Sequence, residues 1–374
     1  MAFKSLIIRK KGGSPNYLIT ILVFTLTIFG LVMLASASLE LGKQQFNNSY
    51  YYLEHQIVYG LSIGVIGFFA ASKIYYQNYK KWAVALLAIS LLFLIIVFTP
   101  IGIKSGGAER WIKLGPLSFQ PAEIIKLTFI IYLAAWLTNP KADRSQNFLG
   151  GFLPFMMISG LVAGLLILEP TTGTVIIILG AGLMAYFYSG AKFRYIILAI
   201  ISGLAILALI IYATPYRFAR VQTYFSPSND QRGNSYQINQ SLINIGLGGW
   251  LGTGYGKSTM KIGLLPAPLD DSIFSIIANE LGFIGAASVI VMFFLLVFMI
   301  FYLSLKIDDK FAKLLLVGFG GVIFIQSFMN IASISGLLPL TGVPLPFVSY
   351  GGTSLAVFLT MSGIIINISK YANV

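Results

Sequence analysis

The chain has no cysteine and a single histidine, His55. Disulfides, zinc–thiolate sites and cysteine nucleophiles are therefore excluded, and a Ser-His-Asp triad would have to use that one imidazole. Charge is scarce as well. Only 10% of the 374 residues are charged, against about a quarter in an ordinary soluble domain. What fills the space is apolar: 57% of the residues are hydrophobic and the mean hydropathy is +0.84. A soluble enzyme is excluded on these grounds. A transmembrane helix needs about 20 largely apolar residues, so the chain has room for about ten of them in one bundle. The expected fold is an all-α polytopic membrane protein, a single domain over residues 1–374.

Ten apolar segments are readable, at 17–38, 56–72, 82–99, 120–137, 149–168, 173–189, 193–213, 273–303, 311–334 and 347–369. The basic start (Lys4, Arg9, Lys10, Lys11) leads into an apolar run too long for a signal peptide, so no cleavable signal is expected. With the N-terminus cytoplasmic, every inner segment is basic: Lys73, Lys80 and Lys81; Lys141 and Arg144; Lys192 and Arg194; Lys306, Lys310 and Lys313; and Lys370. The short outer loops hold only Lys43. This is the positive-inside pattern, and it accounts for the net charge of +13 without nucleic acid. Two longer outer loops, 100–119 and about 213–272, break it. A structureless loop of the second one's length is unusual. Its Gly, Tyr, Gln and Trp content points to packed, partly re-entrant structure.

Those two loops hold the densest chemistry. In the first, Arg110 and Lys113 flank Trp111. They suit an anionic head group, since the guanidinium fork binds two phosphate oxygens at once, or they anchor the interface. In the second, Arg217, Arg220, Arg232, Lys257 and Lys261 supply cations, while Gln237, Gln240 and Ser241 share a helical face. The glycine run 246–257 lacks Walker spacing and no strand precedes it, so it reads as close backbone approach to a helix or ligand. Asp270 and Asp271 sit directly before the eighth segment. They either cap it or provide an outer-face general base. Within the bundle, Glu123 and Lys126 lie three apart on one helical face, as a structural ion pair or the wall of a polar cavity. Glu280 lies about two turns inside the eighth helix. Asp143, Asp308 and Asp309 sit among lysines as a solvated surface, and Glu40 and Glu54 flank a short outer loop.

In this order the motifs resemble the SEDS family (shape, elongation, division and sporulation proteins), which includes FtsW and RodA. The pieces are Gly30-Leu31-Val32-Met33 with Ser36-Ala37-Ser38; Gly107-Ala108-Glu109-Arg110-Trp111-Ile112; Phe119-Gln120-Pro121-Ala122-Glu123 with Lys126; and Glu169-Pro170 with Gly173-Thr174. They continue with Tyr216-Arg217 and Arg220, Tyr236-Gln237 with Gln240-Ser241, Asp271 with Ile273-Phe274 and Glu280-Leu281-Gly282, and Pro344 through Leu355, which includes Ser349. The resemblance implies a peptidoglycan glycosyltransferase that polymerises lipid II, with Asp271 taking the proton from the acceptor sugar's 4-hydroxyl. It also implies substrate contacts from Arg110, Lys113, Glu123, Lys126, Arg217, Arg220, Gln237, Gln240, Lys257, Glu280 and Ser349. The implied partners are lipid II, a class B penicillin-binding protein and other divisome proteins. The implied location is the bacterial plasma membrane, with both termini cytoplasmic and the active site extracytoplasmic. No certain cofactor follows, and a divalent cation is left open. A lipid II flippase and a division scaffold without chemistry are the competing readings.

The chain departs from the family pattern at four places. His55 stands before Gln56 where Arg is usual; Thr171 stands in Pro170-Thr171-Thr172-Gly173-Thr174 where an acid is usual; Pro266-Ala267 stands where Pro-Glu is usual; and Asp270 stands where Thr or Gly is common. The Leu-Pro-x-Pro run before Asp271 and the Phe347-Val348-Ser349-Tyr350-Gly351-Gly352-Thr353 ending lean towards the FtsW type over the elongation type.

Overall fold

The structure is a computed structural model and describes residues 12–105, 108–115, 117–139, 144–225, 234–258 and 269–372. The expectations for Lys4, Arg9, Lys10, Lys11, Lys141, Asp143, Arg232 and Lys261 fall outside these residues, as does Gly107 of the first-loop motif.

All ten apolar segments are helices. Eight are long and apolar enough to cross a membrane: α1 (Tyr17–Phe46), α2 (Tyr51–Lys73), α3 (Gln77–Ile96), α5 (Phe148–Leu168), α7 (Phe193–Ala213), α10 (Ile273–Leu305), α11 (Lys310–Ile334) and α12 (Gly352–Ser369). Two helices of 17 residues, α4 (Pro121–Leu137) and α6 (Thr172–Tyr188), complete the bundle. At 1.5 Å per residue each of these reaches about 25 Å. α11 and α12 form the centre, with 78% and 83% of their apolar windows buried, while α7, at 6%, lies at the periphery. α12 packs on α2, α11 on α6 and α10, and α3 on α4.

The helix ends follow capping chemistry. Asn16 accepts from the Ile19 amide at the start of α1, Asp309 accepts from the Ala312 amide at the start of α11, and Pro121 opens α4 where its missing N–H costs little.

The two long loops carry structure that hydropathy does not reveal. The first forms an antiparallel sheet of β1 (Gly102–Ser105), β2 (Ala108–Leu114) and β3 (Leu117–Phe119), with β2 in the centre. The second holds two further helices, α8 (Pro215–Phe225) and α9 (Asn234–Gly248). Residues 347–351, expected to open the last helix, form a turn in which Phe347 and Gly351 take positive φ.

The long eighth segment is broken. Gly282 has φ 69° and ψ −167°, so α10 is two helical pieces joined at a kink. The glycine run fills the gap. Thr253 and Gly254 amides donate to the Asn279 and Glu280 carbonyls at 2.9 and 3.0 Å, and Gly249 and Trp250 carbonyls accept from Phe283 and Ile284. Backbone groups freed by a kink must find partners when no water reaches them. Here the loop supplies them, as expected of glycines that let a chain approach closely.

Candidate active site

Asp271 lies in the turn before α10, half-buried. Its Oδ1 accepts from Gln237 Nε2 of α9 at 3.3 Å and from Ser272 Oγ at 3.5 Å. Its carbonyl accepts from Asn330 Nδ2 of α11 at 2.8 Å, and the same amide donates to the Val343 carbonyl. The turn is thus fixed to the centre of the bundle. Oδ2 faces Gly342, whose φ is +65°. A side chain there would meet both Asp271 Oδ2 and Arg220 Nη1, so the bare glycine lets carboxylate and guanidinium face each other. Burial raises the Asp271 carboxyl above its ordinary range, while Gln237, Arg220 and Ser272 pull it back.

Neither aspartate caps α10. Its N-cap is Ser272, without a side-chain cap bond, which removes the capping alternative. Asp270 is exposed as a residue, although protein packs around its carboxyl. Burial, and then the charge of Asp271, push it up to about 7. Among the described residues, no cluster of three or more His, Cys, Asp or Glu side chains could hold a metal ion.

The expected cations divide into two groups. Arg110 on β2 donates from Nε and Nη2 to the Glu169 and Pro170 carbonyls, both at 3.0 Å, and holds the sheet against the α5–α6 turn. Arg217 is buried and donates to Thr172 Oγ1, Thr214 Oγ1 and the Ile167 carbonyl. Arg220 stacks on Tyr216 and donates to the Leu340 carbonyl at 3.1 Å while facing Asp271. Lys113 and Lys257 are exposed.

The remaining expected residues lie deeper. Lys126 Nζ pairs with Glu123 at 2.7 Å and donates to Gln326 Oε1 at 2.7 Å, with both charged groups buried. This is the structural ion pair of the two alternatives. Glu280, 1% exposed, accepts from Ser36 of α1 at 2.7 Å and from the Gly256 amide at 3.0 Å. It ties α1, the glycine loop and the kink together. Ser349 Oγ accepts from the Leu345 amide within its turn. Gln240 is half-buried on α9, one position from the Gln237–Ser241 face that meets α10.

Five residues without a sequence-based role also shape this end. Asn330 and Gln326 are polar groups inside an apolar helix, which is itself a signal of function or fixed structure. Gln56 Oε1 accepts from the Gly351 amide at 3.0 Å. Tyr350 meets His55 through Oη and Nδ1 at 3.0 Å. Two hollows lie at the opposite end, lined by Arg144, Lys310 and Lys313 and by Lys192 and Arg194. They hold no acid or base pair, and their basic lining is that of the positive-inside rule.

The chain matches the family model of the FtsW, RodA and SpoVE proteins, described as cell cycle proteins, over residues 16–374. It is 35% identical to a probable peptidoglycan glycosyltransferase FtsW of Trichlorobacter lovleyi over 97% of this chain and 96% of that one. It is 33% identical to stage V sporulation protein E of Bacillus subtilis over 97% and 99%. Its fold is similar to that of the rod shape determining protein RodA of Thermus thermophilus, with TM-score 0.71, 26% identity and coverage of 95% and 96%. It is also similar to a chain from a peptidoglycan synthase complex that coordinates polymerization and crosslinking, with TM-score 0.78, 25% identity and coverage of 96% and 99%.

Proposed function

This chain belongs to the FtsW, RodA and SpoVE family of cell cycle proteins, and from that premise we propose that it is a peptidoglycan glycosyltransferase of the FtsW type that polymerises lipid II during septal wall synthesis. It is a multi-pass membrane protein. The ten helices place Asp271, the sheet, α8 and α9 at one end, which we assign to the extracytoplasmic face, with both termini in the cytoplasm.

The observation that carries the mechanism is the Asp271 carboxylate, held at a fixed position beside Arg220. A general base works best with a pKa near the operating pH. A carboxylate raised by burial approaches that condition, and Gln237 holds one oxygen so that the other is free to accept a proton. In the reaction, the acceptor sugar's hydroxyl oxygen attacks the anomeric carbon of the donor sugar. The new glycosidic C–O bond forms as the bond to the lipid pyrophosphate breaks. The hydroxyl proton passes to Asp271, and the pyrophosphate departs with the electron pair. Arg220 steadies the carboxylate in its ionised form. Exposed Lys113 and Lys257, together with the Arg110 side, give the leaving group cationic surroundings. The relatives' part in a synthase complex supports a class B penicillin-binding protein as the crosslinking partner.

Purified protein given lipid II is expected to make glycan strands. Asp271→Ala, still folded, is expected to lose at least about a hundredfold of that activity, and Asp270→Ala to keep most of its turnover. Running both with and without divalent metal reads the metal dependence in the same assay. Full activity in Asp271→Ala would remove this residue from the mechanism.

A further inference from the structure

Between the feet of α5 and α7, at the end away from Asp271, lies a hollow of about 570 Å³. That volume is within the range of small-ligand sites. Gln146, Asn147 and Phe148 line one side of it, and Lys192, Arg194 and Tyr195 the other. The positive-inside rule accounts for cations at this end. It does not account for two of them gathering at one hollow with no acid among its lining residues. Among the described residues nothing engages the Lys192 amine. Arg194 donates from Nη2 to Tyr195 Oη at 3.1 Å and stacks on the same ring at 4.9 Å. The Tyr195 ring is fixed in turn, stacked on Phe152 with centroids 5.4 Å apart and meeting Phe148 at 6.0 Å. The guanidinium is thus held in place with donors to spare. The two sides are tied across the hollow, the Lys192 amide donating to the Ser145 carbonyl at 3.3 Å and Gln146 Nε2 to the Gly190 carbonyl at 2.6 Å. Both helices also begin here. Asn147 caps α5 with its side chain, whereas Lys192 brings no such cap to α7, and the start of a helix favours an anion.

The rim of the hollow is apolar and bare. Phe148, Leu149 and Phe193 are exposed, and the α7 surface that continues from Phe193 is almost wholly unburied. A free phosphate would use the cations and leave that rim unmatched. A phospholipid uses both: its phosphodiester meets Lys192 and the Arg194 fork, and its acyl chains run on along α7. We propose that this hollow binds the head group of an anionic phospholipid from the leaflet at this end, and that the bound lipid fastens the foot of α7 to α5. The site does not depend on the polymerase reading.

The test titrates detergent-solubilised protein with phosphatidylglycerol, with phosphatidylcholine of the same chains, and with inorganic phosphate. Native mass spectrometry counts the bound lipid. Wild type is expected to prefer phosphatidylglycerol. Lys192→Ala combined with Arg194→Ala is expected to bind it about thirtyfold more weakly, from the contribution of two cations near an anionic head group. Lys192→Ala alone, which breaks no side-chain contact, is expected to lose about fivefold and keeps the test open if the double variant does not fold. Lys73→Ala combined with Lys81→Ala removes two exposed cations from the same end, outside the hollow, and is expected to bind as wild type does. Phosphatidylglycerol is expected to raise the melting temperature of wild type and of this control, and not that of the Lys192 and Arg194 double variant. Equal affinity for the two lipids, or equal loss in the two double variants, overturns the site. Inorganic phosphate that stabilises wild type as strongly as the lipid overturns the lipid as its ligand. Binding with no rise in melting temperature overturns the fastening of α7.

Discussion

At the scale of single residues, Glu169 is the most strained electrostatic position outside the spans. It has no exposed surface, and neither carboxylate oxygen has a hydrogen-bond partner among the described residues. Burial pushes it from an ordinary 4.5 to about 8, against the pull of Arg110. The fold therefore holds a proton that the unfolded chain releases. Its contribution is complete below about pH 4.5 and disappears as pH rises through about 8. Glu169→Gln keeps the shape and removes the titration. Across that window wild type is expected to lose stability relative to the variant, by up to about 1.4 kcal/mol per pH unit. Asp270 and Asp271 titrate with the same sign in both proteins, so the difference isolates Glu169. Parallel melting curves from pH 5 to 8 would refute it. Elimination among the acids leaves Asp270 and Asp271 side by side on the outer loop, and only the family resemblance prefers Asp271. Glu169 was not readable in this sense: it sits in a three-residue connection between two helices, where no periodicity reports burial.

At the scale of elements, the kink in α10 decides where the site lies. The piece from Ile273 to Glu280 is buried on every side, and it carries Asp271 at its N-terminal end. Gly282 has positive φ, and a Cβ there would meet the Gly252 amide and the Trp250 carbonyl; one at Gly252 would meet the Glu280 carbonyl. Left-handed strain costs about 1–3 kcal/mol and overpacking a similar amount. Gly282→Ala is therefore expected to destabilise the protein by at least about 2 kcal/mol, while Gly203→Ala, with nothing within 4 Å of the added carbon, stays near wild type. Equal melting temperatures for the two would show that the loop–kink pairing is dispensable. The ten helices of the bundle were legible as apolar runs, eight of them long enough to cross a membrane. The sheet was not: its strands are four, seven and three residues long and lie between glycines. The glycine run announced close approach, but only the fold shows that its partner is the broken helix.

At the scale of the whole molecule, charge and topology point the same way. The first and last described stretches meet at one end, where the Gly13 amide donates to the Lys370 carbonyl and the Asn16 amide to Ser369 Oγ. That end carries Lys73, Lys80, Lys81, Arg144, Lys192, Arg194, Lys306, Lys310, Lys313 and Lys370. The cations at the other end look at first like a violation of the positive-inside rule, yet Arg110, Arg217 and Arg220 are engaged by carbonyls and hydroxyls. Their charge is committed to holding the cleft together. The remaining lysines and arginines support the proposed orientation, in which Asp271 faces outward. The absence of cysteine makes this simple to check. Lys43 and Lys192 are both exposed, at opposite ends. In intact cells, a single cysteine at position 43 (Lys43→Cys) is expected to react with a membrane-impermeant maleimide, and one at position 192 (Lys192→Cys) only after permeabilisation. The reverse pattern would put the cleft in the cytoplasm, on the side where septal glycan is not assembled, and the polymerase mechanism built on Asp271 would fail with it.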